Sequence, residues 1–171
     1  MKEDTQRLTT SAVEVRPEWL DSYGHMNMAR YVAAFDELGY PLQDHIGVGA
    51  AYTAARRLGL FVVDARVTYR RELVRGQRFC IALRVLDADH IRLLTLQEMR
   101  LEPGGEVVAT MEQLAVNASL ESRRACPFEP ELAASLQRLA ARHRQYPLPT
   151  GFRPLLTCRP QGGGKTGAGG H

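Results

Sequence analysis

The side chains most able to do chemistry fall within eleven residues: Asp21, Tyr23, His25, Asn27 and Tyr31. A carboxylate such as Asp21 can attack a carbonyl carbon or take a proton from water. The His25 imidazole can hold or relay a proton near neutral pH, and Asn27 carries an amide. Gly24, lying among them, lets the backbone bend and come close to a ligand. Each residue also has a plainer use. Asp21 can cap a turn, His25 can bond a loop carbonyl, Asn27 can cap a helix, and Tyr31 can be core. Spacing within the cluster leaves both uses open.

The elements around the cluster say where it sits. Asn27 is a good N-cap, because its side-chain oxygen accepts from free backbone N–H groups. Met28, Tyr31, Val32, Phe35 and Leu38 follow with helical spacing. They predict a helix that is apolar over much of its circumference and buried against a sheet. Gly39 is a stop signal, and Pro41 can open a short turn. The cluster therefore lies at a helix N-terminus, with unpaired N–H groups and partial positive charge. A thioester carbonyl placed there would have its developing oxyanion stabilised by preorganised donors.

A first strand is expected over 9–16, ended by Pro17, and a helical piece over 50–58, ended by Gly59. Phe61, Val63, Ala65, Val67 and Tyr69 alternate with Val62, Asp64, Arg66, Thr68 and Arg70, a half-buried strand with one wet face. A turn at 75–77 leads to a strand holding Phe79, Ile81, Leu83 and Val85. Residues 86–90 make the next turn, 90–101 a third strand, 103–105 a tight turn and 106–120 a fourth. Four strands joined by short turns predict an antiparallel meander. Pro130 then opens a helix with Leu132, Leu136 and Leu139 on one face. The fold class is α+β: a curled antiparallel sheet around one long helix, with a C-terminal helix. Open sheet edges invite a second copy, so a homodimer is expected, with a tetramer left open.

Composition narrows the rest. The 171 residues suit one domain, expected over 8–145, followed by a disordered Gly/Pro-rich tail over 146–171. Gly164-Lys165-Thr166 in that tail is no phosphate loop, since Arg159 stands where the pattern needs glycine. The net charge of +3 is spread along the chain and predicts no nucleic-acid partner. No apolar run is long enough for a membrane span, and the first residues do not resemble a signal peptide. Cys80, Cys126 and Cys158 are odd in number and far apart, which predicts free thiols in a reducing cytoplasm and no metal site.

The run from Pro17 to Tyr31 resembles the signature of hotdog-fold thioesterases. In the 4-hydroxybenzoyl-CoA thioesterase-like family an aspartate precedes a glycine by three and a tyrosine by ten, as Asp21, Gly24 and Tyr31 do. Asp21, His25 and Asn27 match the Asp-x-x-x-His-x-Asn run of plant acyl-ACP thioesterases, and Tyr69-Arg70-Arg71-Glu72 matches their Tyr-Arg-Arg-Glu. The chain is also similar to the betainyl-CoA thioesterases of bacterial carnitine breakdown, in Pro17-Glu18-Trp19, in Gly24-His25-Met26-Asn27-Met28 and in residues 67–73. The resemblance implies a five-stranded hotdog sheet, a dimer with two interfacial active sites, and hydrolysis of an acyl-CoA thioester to free acid and CoA. No cofactor is implied, since CoA belongs to the substrate.

It further implies that Asp21 is nucleophile or general base, that His25 and Asn27 orient thioester or water, and that the Met28 backbone N–H is the oxyanion donor. Tyr23 departs from the asparagine usual there. Glu72 is a further catalytic candidate. Strict alternation puts it on the wet face with Asp64 and Arg66, so it needs a bulge or a partner subunit to reach the site. Arg66, Arg70, Arg71 and Arg92 are candidates for the CoA phosphates. Trp19 and Tyr23 could wall a quaternary ammonium acyl group by cation–π attraction. A hotdog hydratase or dehydratase, or a non-catalytic acyl-thioester-binding domain, are the competing readings.

Overall fold

The computed structural model describes residues 8–158. In chain order these form β1 (Leu8–Thr9), β2 (Val13–Glu14), a 3-10 turn (Pro17–Trp19), α1 (Met28–Gly39), a 3-10 segment (Tyr40–Ile46) and α2 (Ala50–Arg56). Four long strands follow: β3 (Leu58–Tyr69), β4 (Arg78–Ala88), β5 (Arg92–Glu102) and β6 (Val107–Ser119). α3 (Pro130–His143) comes last. The single strand expected over 9–16 is two short pieces, both paired with β4. The helical piece expected to 58 ends at Arg56, with Arg57 left-handed (φ 56°), and Gly59 lies inside β3.

All strands pair antiparallel in one sheet, in the order β1-β4-β5-β6-β3. This corrects the expected meander. β3 pairs with β6 at the far edge, not with its successor β4. The chain between them must cross three strand spacings, about 14 Å. Residues 70–77 suffice, since extended chain covers about 3.3 Å per residue. α1 lies on one face of the sheet, with Tyr31, Ala34 and Phe35 buried against Phe79, Ile81, Met99 and Met111. The crossover passes the start of α1, and that passage assembles the site described below. A second apolar cluster joins the inner side of α3 (Leu136, Ala140) to Leu83, Val85 and Leu93.

The alternation expected along β3 breaks at a bulge between Val62 and Asp64. Val62 thereby joins the face of Ala65 and Val67, while Phe61 moves to the other face and Val63 is the extra residue of the bulge. Among the described residues no strand pairs with the outer edge of β3, and Phe61, Val62 and Val63 are exposed.

Residues 146–158, expected as disordered tail, lie along the sheet face away from α1. Arg84 donates to the carbonyls of Tyr146 and Pro147 (3.1 Å each), Arg66 to that of Arg153 (3.1 Å), and Arg92 to that of Cys158 (2.6 Å). Glu112 accepts from the N–H groups of Leu155 and Leu156 (3.2 Å each). The Gly164-Lys165-Thr166 run lies outside the described residues. No helix among the described residues is long and apolar enough to cross a membrane.

His143, at the end of α3, gives this packing a pH dependence. Burial lowers its pKa below 6.5, and Arg84 and Arg142 push the same way. Its Nδ1 accepts the Val85 N–H (2.9 Å), a bond that needs the neutral ring. The folded ring resists a proton that the unfolded chain binds below 6.5. Stability is unaffected above that value and falls as pH drops from it towards the folded pKa. Thermal melts should therefore shift down between about pH 7 and about pH 5. The shift should shrink in His143→Asn, whose amide oxygen stands where Nδ1 does and can keep the Val85 bond; equal slopes would count against this account.

Candidate active site

Residues 20–26 form a tight hairpin, closed by a bridge between Leu20 and Met26. Asp21 N–H donates to the His25 carbonyl (3.0 Å), and Gly24 N–H to the Asp21 carbonyl (3.1 Å). Gly24 sits at φ +85°, where a side chain is strained, and a Cβ there would meet nothing within 4 Å. Its service is to the turn, and it is not among the residues lining the cleft. The crossover anchors the hairpin. Met26 N–H donates to the Leu73 carbonyl (2.7 Å), and His25 bridges to Val74.

The hairpin poises Asp21. Its Oδ1 accepts the Tyr23 N–H (2.9 Å), and its Oδ2 lies 3.4 Å from His25 Nδ1. The His25 ring is stacked on Tyr23, centroids 5.9 Å apart. Tyr23 itself is 84% exposed.

Asn27 is the N-cap of α1, its Oδ1 accepting the Ala29 N–H (2.9 Å). That bond uses one lone pair of the oxygen and leaves the Nδ2 donors for a ligand. The Arg30 N–H bonds the Asn27 carbonyl (2.8 Å). The Met28 N–H finds no acceptor among the described residues, as expected for the first turn of a helix. The Met28 carbonyl is held by the Tyr69 hydroxyl (3.2 Å).

Tyr31 is core, 3% exposed. Its hydroxyl accepts the Leu73 N–H (2.9 Å) and donates to the Arg71 carbonyl (3.4 Å), pinning the crossover to α1. Burial raises its pKa above 10.0. Tyr31→Phe would leave the buried Leu73 N–H unpaired, which should cost about 1–3 kcal/mol of stability by denaturant unfolding. A variant as stable as the parent would show the tie to be idle.

The crossover supplies the opposite wall. Arg70 and Arg71 N–H groups both donate to the Val108 carbonyl, so strand alternation ends at Tyr69. Glu72, assigned by alternation to the far face, is thereby turned to the cleft. Asp21, Tyr23, His25, Asn27, Met28 and Tyr31 line one side of a cleft of about 680 Å³, and Tyr69, Arg70, Arg71 and Glu72 the other. Arg71 pairs with Glu106, and Arg70 bonds the Thr150 carbonyl.

Three expected binding residues lie elsewhere. Trp19 packs on Phe79 (centroids 6.3 Å) and is covered by Arg16, 5.5 Å from its centroid, so its ring face is taken. Its carbonyl accepts the Asn27 N–H (2.9 Å), a positioning contact. Arg66 and Arg92 hold residues 153 and 158 on the other sheet face. Asp36, needed by a hydratase arrangement, lines a separate chamber beyond the middle of α1. Tyr69, missed as a site residue, fixes the first carbonyl of α1. No group of metal-ligating side chains occurs among the described residues.

Comparison with known proteins gives the family and the fold. The thioesterase-like superfamily model matches residues 15–136, which hold both walls of the cleft. A betainyl-CoA thioesterase of Pseudomonas aeruginosa is 33% identical over 91% of this chain and 98% of its own length. A long-chain acyl-CoA thioesterase of Escherichia coli is 27% identical over 74% of this chain and 96% of its own. A Staphylococcus aureus protein solved in complex with CoA superimposes with TM-score 0.74 at 21% identity, over 88% of this chain and 97% of that one. A hairpin carboxylate, a helix start left open and a crossover closing over both are thus set in a chain that belongs to the thioesterase-like superfamily, the hotdog-fold thioesterases.

Proposed function

We propose that the chain hydrolyses an acyl-CoA thioester to the free acid and CoA, with Asp21 as general base. The observation that carries this is that Asp21 and Met28, whose N–H has no acceptor among the described residues, line one cleft. Water attacks the thioester carbonyl and gives its proton to Asp21, which His25 and the Tyr23 N–H steady. The Met28 N–H, aided by the helix dipole, stabilises the oxyanion. Collapse expels CoA sulfur, which takes up the proton as the thiol. Arg70 and Arg71, with N–H groups to spare beyond their present partners, suit the CoA phosphates. Glu72 and the Asn27 amide, which line the same cleft, orient the water. None of these steps draws on a cofactor.

The acyl group we assign is short and bears a quaternary ammonium, as in the substrate named for the P. aeruginosa relative. Tyr23, freed from Trp19, supplies one aromatic face near the cleft. The working form is a homodimer joined through the open edge of β3, whose exposed apolar stripe needs cover. Cys80, Cys126 and Cys158 are free, which suits the reducing cytoplasm.

The test is release of free thiol from a panel of acyl-CoAs by the purified full chain, with sedimentation to give the oligomeric state. The reading predicts thiol release and a dimer. A chain inert toward every acyl-CoA would overturn it.

A further inference from the structure

A cavity of about 520 Å³ lies between β4, β5, the end of α3 and the 146–158 segment. Among the described residues it shares no lining side chain with the catalytic cleft. Small-molecule sites span roughly 300–1,000 Å³, so there is room for a ligand. Leu94 from the sheet and Leu148, Pro154 and Leu156 from the segment give it apolar walls. Most of its charged groups are already engaged. Arg84 donates to Glu98 (3.0 Å) and to the Tyr146 and Pro147 carbonyls (3.1 Å each), and Asp87 accepts from Arg144 (3.3 Å).

His143 differs from them. It lines the cavity and is 5% exposed. Because its Nδ1 accepts the Val85 N–H (2.9 Å), the proton of the neutral ring sits on Nε2. That second N–H has no acceptor among the described residues. A donor left so in a nearly enclosed wall is unfavourable, and a ligand oxygen in the cavity would satisfy it.

The surrounding charges select the sign of that ligand. Arg84 and Arg142 both act on the His143 ring as positive charges and oppose a second proton there. The same field favours an anion beside the ring. Arg144 has guanidinium N–H groups beyond the one that meets Asp87, and among the described lining residues Asp87 alone is acidic. A carboxylate can accept from an imidazole N–H and a guanidinium together. The leucine walls call for an apolar chain behind it.

We propose that this cavity is a second binding site, for a monocarboxylate bearing a linear apolar chain. His143 Nε2 and Arg144 hold the carboxylate, and Leu94 and Leu156 flank the chain. The site goes beyond the thioesterase reading and does not depend on it.

Calorimetric titration of the full chain with octanoate, octanol and acetate is the test. Octanoate should bind one per chain. Octanol keeps the chain but not the charge and should bind at least about tenfold more weakly. Acetate lacks the chain and should not bind measurably. Arg144→Ala and His143→Asn should each weaken octanoate by about tenfold. The asparagine can keep the Val85 bond while removing the Nε2 donor. The Arg144 side chain is 64% exposed, so its loss should leave the fold intact. Leu156→Trp, which fills the cavity, should abolish binding. Octanoate that does not bind, or octanol that binds as tightly, would overturn the site. So would octanoate binding that survives both Arg144→Ala and Leu156→Trp, as it would from a seat in the catalytic cleft.

Discussion

Asp21→Asn is expected to lower kcat for thioester hydrolysis by about 10²–10⁴-fold. The amide keeps an oxygen for the Tyr23 N–H, so the hairpin should hold its shape. What it loses is the ability to accept a proton from water. Circular dichroism and melting temperature should be unchanged, and KM should move little, because the carboxylate is assigned to the reaction and not to binding. Its contact with His25 adds a second readout. His25→Gln should cost less than Asp21→Asn, since the imidazole only steadies the base. If the order of the two losses were reversed, His25 would be the base and Asp21 its positioning residue.

The second large effect is expected from Met28→Pro. Met28 opens α1, where proline is tolerated because the N–H it removes makes no intrahelical bond. Asn27, just before it, sits at φ −60°, ψ 139°, the extended conformation that a following proline demands. The Met28 side chain is exposed, so its loss leaves no cavity. The substitution thus deletes one proposed oxyanion donor with little change to the helix. By analogy with other lost oxyanion donors, kcat should fall about 10²–10³-fold. Met28→Ala, which keeps the N–H, should retain activity within a few-fold. Equal activity in the proline and alanine variants would remove the helix start from the mechanism.

Much of this was legible in the sequence because it is local. Asn27 and the spacing from Met28 to Leu38 placed the start of α1, and the cap is present. Alternation and turn residues placed β4, β5 and β6 within a few residues. What failed was what local pattern cannot encode. Alternation tells which side chains share a face but not which strand is the neighbour, so β3 was joined to β4 when it pairs with β6. It also assumes an unbroken ladder, which the bulge at Val62/Asp64 and the shared Val108 acceptor both break. Those two breaks misplaced Phe61, Val62 and Glu72. Tail composition predicted disorder for 146–158, but composition does not show that Arg66, Arg84 and Glu112 hydrogen-bond that segment's backbone. Trp19 was read as a binding aromatic because it adjoins the reactive loop, yet its side chain is turned to Phe79. The chamber under α1 is assembled from α1, β3, β5 and β6 together, and no short motif marks it.

The most direct test is a crystal structure with a non-hydrolysable thioether analogue of the acyl-CoA that retains the carbonyl. The carbonyl oxygen should lie about 2.7–3.1 Å from the Met28 nitrogen, the Asp21 carboxylate should face the carbonyl carbon across one water, and the CoA phosphates should reach Arg70 or Arg71. A carbonyl bound away from the start of α1, with Asp21 out of reach of any water beside it, would contradict the account.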